Sequence, residues 1–245
     1  MMGRTYEITT PEGIMTYPSV TTLLGHVKQI PGQYYANTVI EYIKDNLEAI
    51  KSGEIPLDNT LFDSARQYHH EKLETAGDIG TEVHRMIELY INNVNPMIGN
   101  YPSAIASLIL ATSSPEAENS FGAFMEWAED TDFQPIHSEL TVHSHKHKFA
   151  GTLDCVAKVN GKVYIFDFKT SKAHYPENGL QIAAYRHAYE EMGLGTIEGM
   201  MVLRLDKETG EPDPKDYSKN YDKHWKAFQG ILQYHYNVKN RRTSK

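Results

Sequence analysis

The hydrophobic positions change period along the chain. Through the first half they recur at helical spacing. Residues 33–51 put Tyr35, Val39, Tyr42 (or Ile43) and Leu47 on one face, which predicts a helix. Residues 61–76 are more polar and predict another. From Asp78 to Tyr90, Val83, Ile87 and Tyr90 form one apolar stripe, with Asp78 or Thr81 as the expected cap. Residues 118–130 predict a further helix with Phe121, Phe124 and Trp127 or Met125 inward. Residues 94–115, with Pro96, Gly99, Pro102 and Pro115, read as a loop containing a short helix. Ahead of all these, residues 4–17 read as a hairpin or extended arm turning at Pro11 to Gly13. Ser19 or Thr21 is placed to cap a short helix that ends near Gly25.

Then alternation takes over. Residues 137–143, 149–159 and 162–169 have strand period, and Asn160-Gly161 between the last two is a strong hairpin signal. Three antiparallel strands in a meander are expected. Residues 177–192 return to helical spacing, 198–205 predict a strand, and 206–219 read as a polar turn. Tyr221, Trp225, Phe228, Leu232 and Tyr236 line one face of a closing helix. This order predicts an α/β (α+β) fold, a mixed central β-sheet flanked by helices. No linker stands out. Residues 1–245 are expected to form a single domain, helical over about 18–130, with the sheet and its helices over about 136–236.

Composition narrows the chemistry. Of 245 residues, 40% are hydrophobic and 23% charged, which is globular and argues against disorder or a coiled coil. The single cysteine, Cys155, excludes an internal disulfide framework, a four-cysteine zinc site and a four-cysteine iron–sulfur cluster. No apolar run approaches the roughly 20 residues that span a bilayer, and no secretory signal is legible. A soluble, intracellular, cytoplasmic protein with no membrane partner is expected. The net charge of −8 argues against coating nucleic acid by bulk electrostatics. It leaves room for a nucleic-acid enzyme whose clustered carboxylates hold a metal. Lys239, Arg241, Arg242 and Lys245 read as a solvated, frayed tail.

The sharpest chemical signal is Asp154, Asp167 and Lys169. Side chains alternate along a strand, so Asp167 and Lys169 share a face. A hairpin centred on Asn160-Gly161 then sets Asp167 opposite Asp154. Two facing carboxylates among Val156, Val163 and Ile165 repel one another and resist burial. A divalent cation resolves that conflict, and oxygen ligands favour magnesium or manganese. The competing reading is an exposed hairpin in which Lys169 only pairs with Asp167. Gln181 and Tyr185, one helical turn apart, share a face suited to phosphate or base contacts, or to a half-buried packing surface. His84 alone reads as a structural histidine. His143, His145 and His147 lie near a hairpin tip, solvated or near substrate. Cys155 is expected in the core.

Taken in order, Gly80-Thr-Glu-Val-His84, Ser138-Glu-Leu-Thr-Val142, Gly151-Thr-Leu-Asp154, Asp167-Phe-Lys-Thr170 and Gln181-Ile-Ala-Ala-Tyr185 resemble the PD-(D/E)XK nuclease superfamily, in its RecB-like exonuclease branch. Pro18-Ser-Val-Thr-Thr-Leu-Leu24 is similar to the opening of many phage and mitochondrial members. The resemblance runs over about residues 18–205. It implies a restriction-endonuclease-like core and a Mg2+- or Mn2+-dependent deoxyribonuclease. That activity is expected to be an exonuclease acting on single-stranded DNA or duplex ends in phage-type recombination, repair or DNA degradation. It implies metal ligation by His84, Asp154, Asp167 and the Phe168 backbone carbonyl, with Glu139 at an acidic position used in some members. Lys169 would be catalytic with Asp154 and Asp167, and Gln181, Tyr185 and Thr170 would contact DNA. Iron–sulfur members use four cysteines, which this chain lacks. The alternatives are a junction-resolvase-like endonuclease and a catalytically silent DNA-binding or assembly protein on the same fold.

Overall fold

The computed structural model describes residues 3–10, 13–28, 32–94 and 113–239. The expected turn at Pro11 and Glu12, most of the loop at 94–115 and the tail beyond Lys239 lie outside them. The chain divides into two compact units, residues 1–28 with 82–245, and residues 29–81.

The larger unit holds the sheet. The meander is β3 (Gln134–Ser144), β4 (Phe149–Val159) and β5 (Lys162–Lys169), all antiparallel neighbours. Asn160 and Gly161 both take positive φ, 50° and 80°, the pairing a two-residue hairpin needs to match strand twist. The β4–β5 ladder runs from Val159↔Lys162 to Cys155↔Phe166, so Asp154 and Asp167 come next on the same register. Helix α6 (Pro176–Glu191), with Pro176 in its first turn, then crosses to β6 (Gly199–Leu205), which pairs parallel with β5.

The fifth strand, β7 (Pro212–Asp216), was not legible. The segment read as a polar turn instead ladders against β6, from Leu205↔Pro212 to Met201↔Asp216. Its sequence, PDPKD, is neither hydrophobic nor alternating. Tyr217 N donates to Met200 O at 2.8 Å, so odd-numbered N–H groups of this segment point toward β6. Pro212 and Pro214 occupy positions whose nitrogens point away, where no ladder donor is lost.

Aromatic packing covers one face of the sheet. On α5 (Pro115–Asp130), the fully buried Phe124 meets Phe168 at 5.5 Å, and Trp127 meets Phe166 at 5.3 Å. The other face carries Val156 and Ile165 into a core with Ile182, Ala183 and Ala184 of α6 and Phe228 of α7 (Tyr221–Tyr234). Each fully buried Phe or Ile contributes roughly 1.5–3 kcal/mol. At the N-terminus, β1 (Thr5–Thr10) and β2 (Gly13–Pro18) form the expected hairpin. Ser19 caps α1 (Val20–Leu24), its Oγ accepting from Thr22 N at 2.9 Å.

Two helical expectations are corrected. Residues 33–51 are two helices, α2 (Gly32–Asp45) and α3 (Leu47–Ser52), broken at Asn46, whose side-chain amide donates to Tyr42 O. Asp78 and Thr81 do not start a helix. One helix, α4, runs through Asn59–Val94, and Thr81 Oγ1 donates back to Gly77 O at 3.0 Å inside it. Residues 29–81 have a thin core of their own, in which Leu61, Ala65 and His69 are buried and the His69 ring lies 4.1 Å from that of Tyr35.

Candidate active site

The larger unit brings residues from a helix and three strands to one place. Asp154 of β4 is nearly buried and Asp167 of β5 is fully buried. Lys169 Nζ lies 2.7 Å from Asp167 Oδ2 as an ion pair, yet neither oxygen of Asp167 has a well-directed hydrogen bond among the described residues. Asp154 is held from both sides: Oδ2 accepts the Phe168 N–H at 2.7 Å, and Oδ1 lies 3.6 Å from His84 Nδ1. Glu139 Oε1 also lies 3.6 Å from His84 Nδ1. The other ring nitrogen of His84 is 3.1 Å from the Phe168 carbonyl oxygen. Thus His84, expected to be structural when read alone, faces the carboxylates and the very carbonyl that the family resemblance singles out.

Backbone conformation contributes as well. Glu139 stands in β3 at φ 47°, a left-handed conformation that non-glycine residues rarely adopt. The β3–β4 register skips it, pairing Ser138↔Cys155 and Leu140↔Leu153 on either side. Strain of this kind costs of order 1–3 kcal/mol and gathers where geometry serves function. Nothing in the spacing of Ser138-Glu-Leu-Thr-Val142 announces it.

The electrostatics follow from crowding. Burial pushes Asp167 up to about 6; Lys169 pulls it back and Asp154 adds to the rise. Burial works against the Lys169 ammonium, but Asp167 and Asp154 outweigh it and hold its pKa above the usual lysine value. Burial likewise opposes the His84 imidazolium, yet the charge of Asp154 and the bond to Glu139 raise it to about 9. Three carboxylates thus face one ammonium and one imidazolium, and the cluster keeps an excess of acid.

These residues fit a divalent metal. His84, Glu139 and Asp154 each bring one ligand atom to within 4.8 Å of the others, and the buried carboxylate of Asp167 lies on the adjacent strand. A donor set dominated by oxygen with one imidazole suits a divalent cation.

Other motif residues have definite places. Glu82 accepts both Ser114 N and Ser114 Oγ, at 2.9 and 2.8 Å, tying the cap of α5 to the His84 helix. Gln181 Nε2 donates to Tyr185 Oη at 3.2 Å, and both side chains are buried on α6. A Cβ at Gly151 would sit 2.6 Å from the Tyr185 ring, so glycine there lets α6 close onto β4. Burial pushes the Tyr185 hydroxyl well up, and the Asp167 and Asp154 charges push the same way. Thr170 lines a cleft with Ser171, Lys172, Asp206, Lys207 and Glu208. Cys155 is fully buried, as expected of core.

The histidines of the β3–β4 turn are not simply solvated. His145 Nδ1 meets the Tyr17 hydroxyl at 3.1 Å, and His143 and His145 approach at 3.1 Å. His147 meets His187 and Glu191 of α6, with donor atoms within 4.8 Å of one another. Burial lowers the pKa of both His147 and His187, although Glu191 opposes it. The sequence reading missed His187 and Glu191. Their spacing of one helical turn was the available signal, but their meeting with His147 depends on the fold.

Residues 61–241 match the family model of the PD-(D/E)XK nuclease superfamily, and the chain belongs to that superfamily. Members typically use divalent metals and are usually hydrolytic nucleases, though some are inactive, and the fold implies a nucleic-acid substrate. Among solved structures, a crystal structure of SSO0001 is similar over 62% of this chain and 74% of its own, at 11% identity and a TM-score of 0.28. A comparison with curated proteins finds no match. Among the described residues, no helix is long and apolar enough to cross a membrane.

Proposed function

We propose that the protein is a metal-dependent deoxyribonuclease of the RecB-like branch, acting as an exonuclease on DNA ends. The observation that carries this reading is the ion pair of the fully buried Asp167 with the half-buried Lys169, set beside Asp154, His84 and Glu139. A folded domain has little reason to sustain that concentration of charge unless it serves chemistry.

His84, Asp154 and Asp167 would hold the ion with the Phe168 carbonyl, and Glu139 would complete the set. Bound there, magnesium or manganese supplies charge stabilisation at the scissile phosphate and acidifies water. Lys169 is held protonated by its two carboxylate neighbours. It therefore donates hydrogen bonds, orienting the attacking water or stabilising the charge that develops on the phosphate oxygens. Phe168 N–H keeps Asp154 from rotating away from the centre. Gln181 and Tyr185 stand behind the carboxylates on α6 and position the DNA strand, while Thr170 meets it where β5 ends. A place in phage-type recombination, repair or DNA degradation belongs to this same reading.

The test compares wild type with Lys169→Ala on end-labelled linear single strands, linear duplexes and closed circles, in magnesium, manganese or EDTA. Loss of linear DNA alone, dependent on metal and reduced roughly 10²–10³-fold in the variant, is the expected result. Cutting of circles makes the protein an endonuclease. Absence of cleavage by folded, metal-loaded protein makes it a binding or assembly protein.

A further inference from the structure

The β3–β4 turn and the C-terminal part of α6 assemble a second donor set that shares no residue with the carboxylate centre. His187 Nε2 lies 3.4 Å from Glu191 Oε2, and His147 offers a nitrogen within 4.8 Å of both. Tetrahedral zinc, with bonds of about 2.0–2.2 Å, sets neighbouring ligands about 3.4 Å apart. The His187–Glu191 pair therefore already has the edge length such a site requires.

Surrounding contacts orient each donor. The Nδ1 of His187 bonds the Tyr221 hydroxyl at 3.3 Å, while its Nε2 is buried with no hydrogen bond among the described residues. The His187 ring stacks on Trp225, centroids 3.8 Å apart and planes 15° from parallel. Glu191 Oε2 accepts from Ser144 Oγ at 2.5 Å, and Oε1 accepts from Lys146 N at 3.1 Å. The same Ser144 oxygen accepts the His147 backbone N–H at 3.0 Å, closing the turn. Metal sites are held by outer contacts of this sort. The His187 and Glu191 side chains keep 22% and 25% of their exposure, so the cluster lies near the surface.

We propose that His147, His187 and Glu191 form a zinc-type site that fastens the β3–β4 turn to α6. Two imidazoles and one carboxylate favour a borderline transition metal over magnesium. The consequence is mechanical: the clamp joins α6, which carries Gln181 and Tyr185, to the turn that leads into the Asp154 strand. It does not depend on the nuclease reading.

The test uses cobalt as a visible probe in full-length Asp154→Asn protein, whose carboxylate centre is disabled. Cobalt should bind with a single equivalent, giving a tetrahedral absorption band and quenching of Trp225 fluorescence. Adding His187→Ala or His147→Ala should abolish both signals while far-UV circular dichroism is kept. Glu191→Gln, the mildest change, should weaken binding about tenfold or more and decides the matter where a histidine variant unfolds. A band that survives in folded His147→Ala and His187→Ala proteins, or that is absent from the Asp154→Asn parent, overturns the proposal.

Discussion

Two clusters in this molecule bring imidazole and carboxylate groups to similar separations, 3.6 Å around His84 and 3.4 Å between His187 and Glu191, yet they differ in every other respect. Around His84 the acids prevail: Asp154, Glu139 and Asp167 crowd one imidazole and one lysine, and the histidine is driven to hold its proton. Around His187 the nitrogens prevail, aromatic burial disfavours the imidazolium, and backbone and hydroxyl donors fix the single carboxylate. The first arrangement is suited to a hard, oxygen-seeking ion at a reacting phosphate. The second is suited to a nitrogen-seeking ion that holds two elements together. Donor chemistry and the surrounding charge, more than the spacing, separate the two.

The comparison breaks most visibly at Asp154. Asp154→Asn should reduce metal-dependent DNA cleavage by roughly 10²–10⁴-fold while the same preparation keeps its cobalt band. Loss of the cobalt band along with cleavage would overturn the separate second site. A smaller effect probes the strained residue of β3 that serves only the first cluster. Both Glu139→Ala and Glu139→Gly remove the carboxylate, but only glycine tolerates φ 47° freely. Urea unfolding should therefore find Glu139→Gly about 1 kcal/mol more stable than Glu139→Ala, the reverse of the usual order within a strand.

The smallest effect is a difference in sign. In metal-free protein the His84 pKa is raised from 6.5 to about 9, so its contribution to stability is full below 6.5 and is lost as pH climbs through 9. The pKa values of His147 and His187 are lowered, so their neutral forms contribute above 6.5 and that contribution is lost on acidification. Thermal unfolding across this range should show the alkaline slope flatten in His84→Gln alone. A slope unchanged in that variant would deny His84 its two carboxylate partners.

Much of the scaffold was readable because it is local. Alternation marked β3, β4, β5 and β6, and Asn160-Gly161 set the register that brings Asp154 toward Asp167. The ordered motifs resembled one superfamily, and the match over residues 61–241 establishes it. What stayed hidden depends on contacts or on backbone shape. Asp78 and Thr81 read as caps, but the helix continues through both. The conformation of Glu139 leaves no mark in its neighbours' polarity. The meeting of His147 with His187 and Glu191 exists only once the β3–β4 turn lies on α6.

The short strand that closes the sheet also governs its company. Along β7 the nitrogens that point away from β6 belong to Pro212, Pro214 and Asp216, so only the last can offer a hydrogen to a newcomer. An incoming strand needs a row of such donors to add to a sheet. Fibril-like growth and dimerisation by strand addition are thereby discouraged on this margin, although among the described residues no further strand pairs with it.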